Sequence, residues 1–419
     1  CRVGERALQP QILVTPAGVS GPATDNPAGW RRASVEVARP QPIPKRLLFY
    51  RGSAVPLDLG EITLQLEQRA QSLGQTKAGR DQRLQALLET ANHVDPATVR
   101  DSTESAFDRP YLAAVAEEGL LGSQAPPPAP DDWQVAAVDG SHIDVDRHLP
   151  VACFLINLGG CVLTYGANPN ADFFSRSQLA TEPSDLSIAD PGNTSQEEQV
   201  SGQLLGLMRT VGELERLAQV VSDLPPELPT LALVDGSLVL WGLSGQGYKP
   251  FVRDAIIRDR LLPAMEKLRE MAQTRSVALA AYVSLPRSTE VVNAVRCCIC
   301  PHDINHCRQS CGSRRSTATT CDIANEFLDR DLFQNLLPSG WRSPVYRTNS
   351  SVPREHYGKE QQVYFYYLQS EEEIGRVEIP AWVALDEKLL GLSHSLILDQ
   401  CQRGQGYPVA ISESHEQAV

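Results

Sequence analysis

The chain predicts an α/β architecture, a sheet covered by helices. Two observations carry this reading: short β-branched or apolar runs ended by glycine, and stretches of helical period lying between them. No self-similar period of roughly 20–50 residues appears, which argues against a solenoid or propeller.

Taken in order, residues 1–55 are rich in Pro, Gly, Ala and Arg without a steady period, and read as an extended arm. Residues 56–130 form a helical extension: ITLQLEQRAQSL and DQRLQALLETANHV place apolar residues at three and four spacing. SQAPPPAPDD, a stiff proline-rich linker, follows them. The core domain then spans 131–419. WQVAAVDGS and VACFLINLGGCVLTYG read as strands, and the acidic segment 173–199, poor in apolar anchors, reads as a loop. QVSGQLLGLMRTVGELERLAQVVSDL is an amphipathic helix stopped by Pro225 and Pro226. TLALVDGSLVLWGL and SVALAAYVSL are strands on either side of the helix RDAIIRDRLLPAMEKLREMAQ. A cysteine-rich insertion, 297–321, interrupts the chain before VYFYYLQS and RVEIPAWVA, two late strands. The last stretch is helical around a Gly/Pro turn.

Composition narrows the function. With 42% hydrophobic and 21% charged residues the 419-residue chain is globular, and no apolar run reaches the roughly 18 residues that span a bilayer. CRVGERALQPQ has no apolar signal-peptide region, so the cytoplasm is the expected compartment, with a mature lipoprotein starting at Cys1 as the alternative. A net charge of −13 excludes a protein that binds nucleic acid over its whole surface, but not one with a local groove.

The tetrapeptide VDGS occurs twice, at Val138–Ser141 and Val234–Ser237, each time after an apolar run. A single copy reads best as a plain turn. Two copies place Asp139 and Asp235 at the polar ends of two strands, where paired carboxylates suit Mg²⁺ or Mn²⁺ and Gly-Ser lets a ligand come close. On the preceding helix, Arg209 and Glu213 share one face and Glu215 follows; read alone, Arg209 and Glu213 make a surface pair. Tyr407 and His415 stand eight residues apart, just over two helical turns, so a helix through both would aim them at one site. In the insertion, Cys297, Cys300, Cys307 and Cys311 have the spacing C-x2-C-x6-C-x3-C, which suits structural Zn²⁺. An iron–sulfur cluster or a reduced, metal-free loop also fits, and Arg308, Arg314 and Arg315 make the segment locally basic.

Together VDGS at Asp139, RTVGELERLA, LVDGSLVLW at Asp235, AAYVSLPRSTEVVNAVR, RVEIPAW and GYPVAISESHEQA resemble, in order, the NurA nucleases, over about two-thirds of the chain. The resemblance implies an RNase H-like core for 131–419 and Mn²⁺- or Mg²⁺-dependent exo- and endonuclease activity on single- or double-stranded DNA ends. It also implies a homodimer, a hexameric HerA-type ATPase as partner in DNA-end resection and repair, and no membrane. Asp139 and Asp235 match the family's metal-binding aspartates. Glu213, with Glu215 as the alternative, completes the acidic set. His415 matches a metal ligand or leaving-group contact, and Tyr407 a residue that positions strand or water. A non-catalytic dimeric scaffold for the ATPase, carrying a structural metal in its insertion, is the competing reading.

Overall fold

The computed structural model describes residues 59–109, 111–144, 151–245, 247–300, 320–371 and 373–419. The proposed arm, 1–55, therefore lies outside the described residues, as do Cys307, Cys311, Arg308, Arg314 and Arg315 of the insertion. Glu67–Val419 makes one compact unit.

Its centre is a mixed nine-stranded sheet. In chain order the strands are β1 (Val115–Ala116), β2 (Trp133–Ile143), β3 (Phe154–Tyr165), β4 (Asn170–Ala180), β7 (Thr230–Asp235), β8 (Val277–Val283), β9 (Tyr346–Arg347), β10 (Val363–Gln369) and β11 (Ile374–Pro380). A separate exposed hairpin pairs β5 (Ser187–Asp190) with β6 (Asn193–Gln199). Across the large sheet the order is β1-β9-β10-β11-β8-β7-β2-β3-β4. Only β2-β7 and β7-β8 are parallel neighbours, and the remaining pairs are antiparallel.

Period-two alternation decides which side chains face which layer. Ala136 and Val138 of β2, Ala232 and Val234 of β7, and Val277, Leu279 and Ala281 of β8 pack under the helices Gly202–Asp223 and Leu262–Ala272. The intervening Val135, Ala137, Leu231, Leu233, Ala278, Ala280 and Tyr282 pack on the opposite face, under the helices Glu387–Arg403 and Val409–Ala418. A sheet buried on both faces needs near-continuous apolar runs, and AAV, LALV and VALAAYV supply them.

Two expectations are corrected here. The segment 173–199 is not a loop: Phe173–Ala180 continues β4, and β5 and β6 follow. β4 is an edge strand exposed along most of its length, held by eleven paired positions on β3 rather than by burial, so it lacks apolar alternation. Second, Asp139 is not at a strand end. β2 runs on to Ile143, and only Asp235 terminates its strand.

Among the described residues no helix is long and apolar enough to cross a membrane. One buried group makes stability pH-dependent. His394 lies in the helix Glu387–Arg403, is fully enclosed, and bonds through Nε2 to the Gly340 carbonyl at 2.9 Å. Burial pulls its pKa from 6.5 down to about 4. The folded chain keeps this ring neutral while the unfolded chain protonates it below pH 6.5. The contribution is therefore complete above that pH and is lost as pH falls towards 4, roughly 3 kcal/mol in all. Urea unfolding at pH 7.5 and 4.5 should show a smaller acid loss for His394→Gln than for the unsubstituted chain; equal losses would refute this assignment.

Candidate metal and active site

The two aspartates owe their juxtaposition to register. β2 and β7 run parallel with Val138 paired to Val234, so each VDG continues from the same level of the sheet. Asp139 and Asp235 share the phase of Val135 and Ala137, and of Leu231 and Leu233, and so face the C-terminal helices. Gly140 takes the opposite phase, facing the helix Gly202–Asp223. A Cβ there would stand 2.7 Å from Glu213 Oε1 and 2.9 Å from Arg209 Cγ, so glycine is what lets that helix approach. Gly236, at φ +93°, instead turns the chain at the end of β7. The two serines also part ways. Ser141 Oγ donates to the Ala418 carbonyl, and Ser237 Oγ donates to Glu378 Oε2 at 2.7 Å.

The C-terminal segment closes the arrangement. His415 Nδ1 lies 2.8 Å from Asp139 Oδ2, and Tyr407 Oη donates to Asp235 Oδ1 at 3.1 Å. The two residues do not act from one helix face, as the spacing suggested. Tyr407 sits in the turn before the helix Val409–Ala418, braced edge-on by Tyr282 at 5.7 Å, and only His415 is helical. From the other side Arg209 Nη1 stands 3.2 Å from Glu213 Oε1 and 3.8 Å from Asp139 Oδ1, and donates to the Gly140 carbonyl. The expected surface pair is therefore a largely buried one. Glu215 points elsewhere, into a double hydrogen bond with Arg260 at 2.6 and 2.9 Å.

Asp139, Glu213, Asp235, Arg209 and His415 line one cavity of about 440 Å³. Its electrostatics are unfavourable for anions. Burial raises the Glu213 pKa to about 8, with Asp139 and Asp235 adding to the rise against the opposing pull of Arg209. Asp235 is raised as well, by burial first and also by Asp139, against the Tyr407 hydrogen bond. Burial also raises the Tyr407 hydroxyl, as does Asp235.

Whether these side chains suit a divalent cation follows from their chemistry. Among the described residues Glu213 Oε1 is buried without a hydrogen-bond partner, Arg209 standing close but outside bonding geometry. Three carboxyl groups facing one guanidinium would, once ionised, leave negative charge uncompensated, and a set of carboxylate oxygens with one imidazole is what Mn²⁺ or Mg²⁺ accepts. With a neutral ring, the Asp139 contact places the His415 proton on Nδ1 and leaves Nε2 as a ligand or base. The residues fit the ion. Among the described residues no three His, Cys, Asp or Glu side chains form a ready-made ligand cluster; here Arg209, His415 and Tyr407 hold the carboxylates.

A family model, the NurA domain, matches residues 134–419. The chain belongs to the NurA family. The match starts one residue into β2 and includes every later strand and all five residues of the resemblance, Asp139, Glu213, Asp235, Tyr407 and His415. Among solved structures, the NurA nuclease from Sulfolobus solfataricus is 11% identical, with 86% of this chain and 92% of that chain covered and a TM-score of 0.43. A structure of NurA with manganese is 12% identical, covering 82% and 94%, with a TM-score of 0.30. The Argonaute of Aquifex aeolicus aligns at 8% identity over 68% of this chain and 28% of its own, with a TM-score of 0.25. No curated protein matches the chain.

Sequence reasoning left several NurA-domain residues without a role. Arg376 of RVEIPAW lies buried between Glu290, at 2.8 Å, and Glu378, at 2.9 Å, and Glu378 in turn holds Ser237 and the Leu238 amide. Charged residues at mid-strand positions of an otherwise apolar run were the available signal; their partners lie far along the chain. Of the insertion, Cys297 is buried at the end of the helix Glu290–Ile299 and Cys300 follows that helix.

Proposed function

We propose that the chain is a divalent-metal-dependent DNA nuclease that hydrolyses phosphodiester bonds. The observation that carries this reading is the convergence of Asp139, Glu213, Asp235 and His415 on one cavity beside two parallel strands, β2 and β7. Membership of the NurA family supports a nuclease.

Asp139, Glu213, Asp235 and His415 would hold Mn²⁺ or Mg²⁺, which when bound polarises phosphoryl oxygens and lowers the pKa of its water. The chain's own groups do the rest. Tyr407 fixes the rotamer of Asp235 through its hydroxyl, and Arg209, 3.2 Å from Glu213, neutralises part of the charge that would repel DNA phosphate. His415 Nε2 has a single lone pair to offer, so where it does not ligate the ion it would instead act as a base or contact the leaving oxygen. The strand order β4-β3-β2-β7-β8, an antiparallel meander joined to two parallel strands, supports an RNase H-like core. The reading further includes action at DNA ends in repair, a homodimer, a HerA-type hexameric ATPase that feeds strands to the site, and structural Zn²⁺ in the insertion, all resting on the resemblance or on the cysteine spacing.

End-labelled linear single- and double-stranded DNA, incubated with Mn²⁺, Mg²⁺ or EDTA, tests this directly. Degradation in one or both metals and none in EDTA is expected. DNA left intact in both metals, with the ATPase partner supplied, would favour the scaffold reading instead.

A further inference from the structure

Beside the carboxylate cavity lies a second one, also about 440 Å³, and the two share Gly236, Ser237 and Trp241 as a common wall. The walls of the second cavity are apolar. Trp241 is 44% exposed although its indole N–H donates to Ser237 Oγ at 3.1 Å, and Val283, Pro286 and Leu112 add to the apolar lining. The loop that carries Pro286 is strained, since Leu285 adopts φ +43° without being glycine and leaves its side chain exposed.

Polar groups also line this cavity. Arg376, 3% exposed, lies over the Phe365 ring at 3.7 Å and pairs with Glu290 and Glu378, yet its buried Nη2 has no hydrogen-bond partner among the described residues. Two carboxylates against one guanidinium leave no positive charge there for a phosphate. The unmet need is for a neutral acceptor such as a carbonyl oxygen. Arg287, exposed and lining the same cavity, is the group placed for a phosphate.

We infer that this cavity receives the nucleobase next to the phosphodiester that is cut, stacked on Trp241, with a base carbonyl accepting from Arg376 Nη2 and Arg287 on the backbone. A flat aromatic ring with an oxygen at its edge matches a largely apolar slot with one buried donor, and the shared wall sets the slot beside the carboxylate cavity. The inference rests on the nuclease reading and adds to it that the substrate is a single strand with its base turned out of the stack.

A short labelled oligothymidylate, with one abasic residue or one adenine walked through it, tests the idea. The product ladder should show cutting beside the abasic residue slowed about tenfold, the scale of one lost stack. Adenine, which has no carbonyl, should be cut more slowly than thymine. Trp241→Ala should bring the thymine-to-abasic rate ratio close to one, and Trp241→Phe should keep it. Equal cutting beside thymine, adenine and abasic residues by the unsubstituted protein would overturn the inference and leave the nuclease reading standing. No cutting of any oligonucleotide in Mn²⁺ or Mg²⁺ would overturn both.

Discussion

Replacing Glu213 by glutamine is expected to remove metal-dependent cleavage while making the metal-free protein more stable. Glu213 is 4% exposed, and burial together with Asp139 and Asp235 holds its pKa at about 8. An acid whose folded pKa lies above its unfolded value of 4.5 binds its proton more tightly in the fold. It therefore leaves stability untouched below pH 4.5 and erodes it as pH rises towards 8. At pH 7 the erosion is on the order of 3 kcal/mol, and glutamine, which needs no deprotonation, avoids it. Under the proposed function the same substitution also takes a carboxylate from the metal site, for which a loss of roughly a hundred- to a thousandfold in rate is the scale. Urea unfolding in EDTA at pH 5 and pH 8, beside a cleavage assay, checks both halves. A variant that is less stable at pH 8 and still cuts would show that Glu213 is a structural partner of Arg209 and nothing more.

Gly159→Ala is the second large effect, and it acts through packing. Gly159 pairs with Asp139 across β2 and β3, and the C-terminal helix lies directly on it. A Cβ at this position would come within 2.1 Å of the Gln417 carbonyl carbon and 2.2 Å of the Ala418 nitrogen. Both are backbone atoms, so no rotamer change relieves the clash and the helix must lift. Overpacking of this kind costs about 1–3 kcal/mol. Its functional effect should be larger, because His415 is two residues from the point of contact and its hold on Asp139 is a single 2.8 Å hydrogen bond. Thermal unfolding and DNA cleavage together decide the matter: reduced melting temperature with cleavage lost is expected. Full activity at unchanged stability would mean that the helix seat is looser than the contact distances indicate.

Much of the core was legible in the sequence because its strands are buried on both faces. WQVAAV, TLALV and VALAAYV are apolar almost without interruption, and a run of that kind between turn residues has few alternatives. The polar edge was illegible for the complementary reason. β4 and the β5-β6 hairpin gain their order from backbone pairing, so NADFFSRSQLA carries no pattern that separates it from a loop. At the site, the repeated VDGS pointed to both aspartates, but their shared phase and level depend on β2-β7 register, which a sequence does not display. Helical spacing alone could not choose between Glu213 and Glu215: the two lie on different faces, and only the packing turns Glu213 towards Gly140 and Glu215 towards Arg260. The same spacing argument misled at Tyr407, where Pro408 delays the helix start to Val409.

The central claim is that the two VDGS aspartates are walls of one metal site. Titration of the metal-free chain with Mn²⁺, followed by electron paramagnetic resonance, measures that without depending on DNA. Saturable binding that weakens at least about tenfold in both Asp139→Asn and Asp235→Asn, with the fold retained by circular dichroism, is the predicted result. Binding of unchanged strength in both variants would contradict the account.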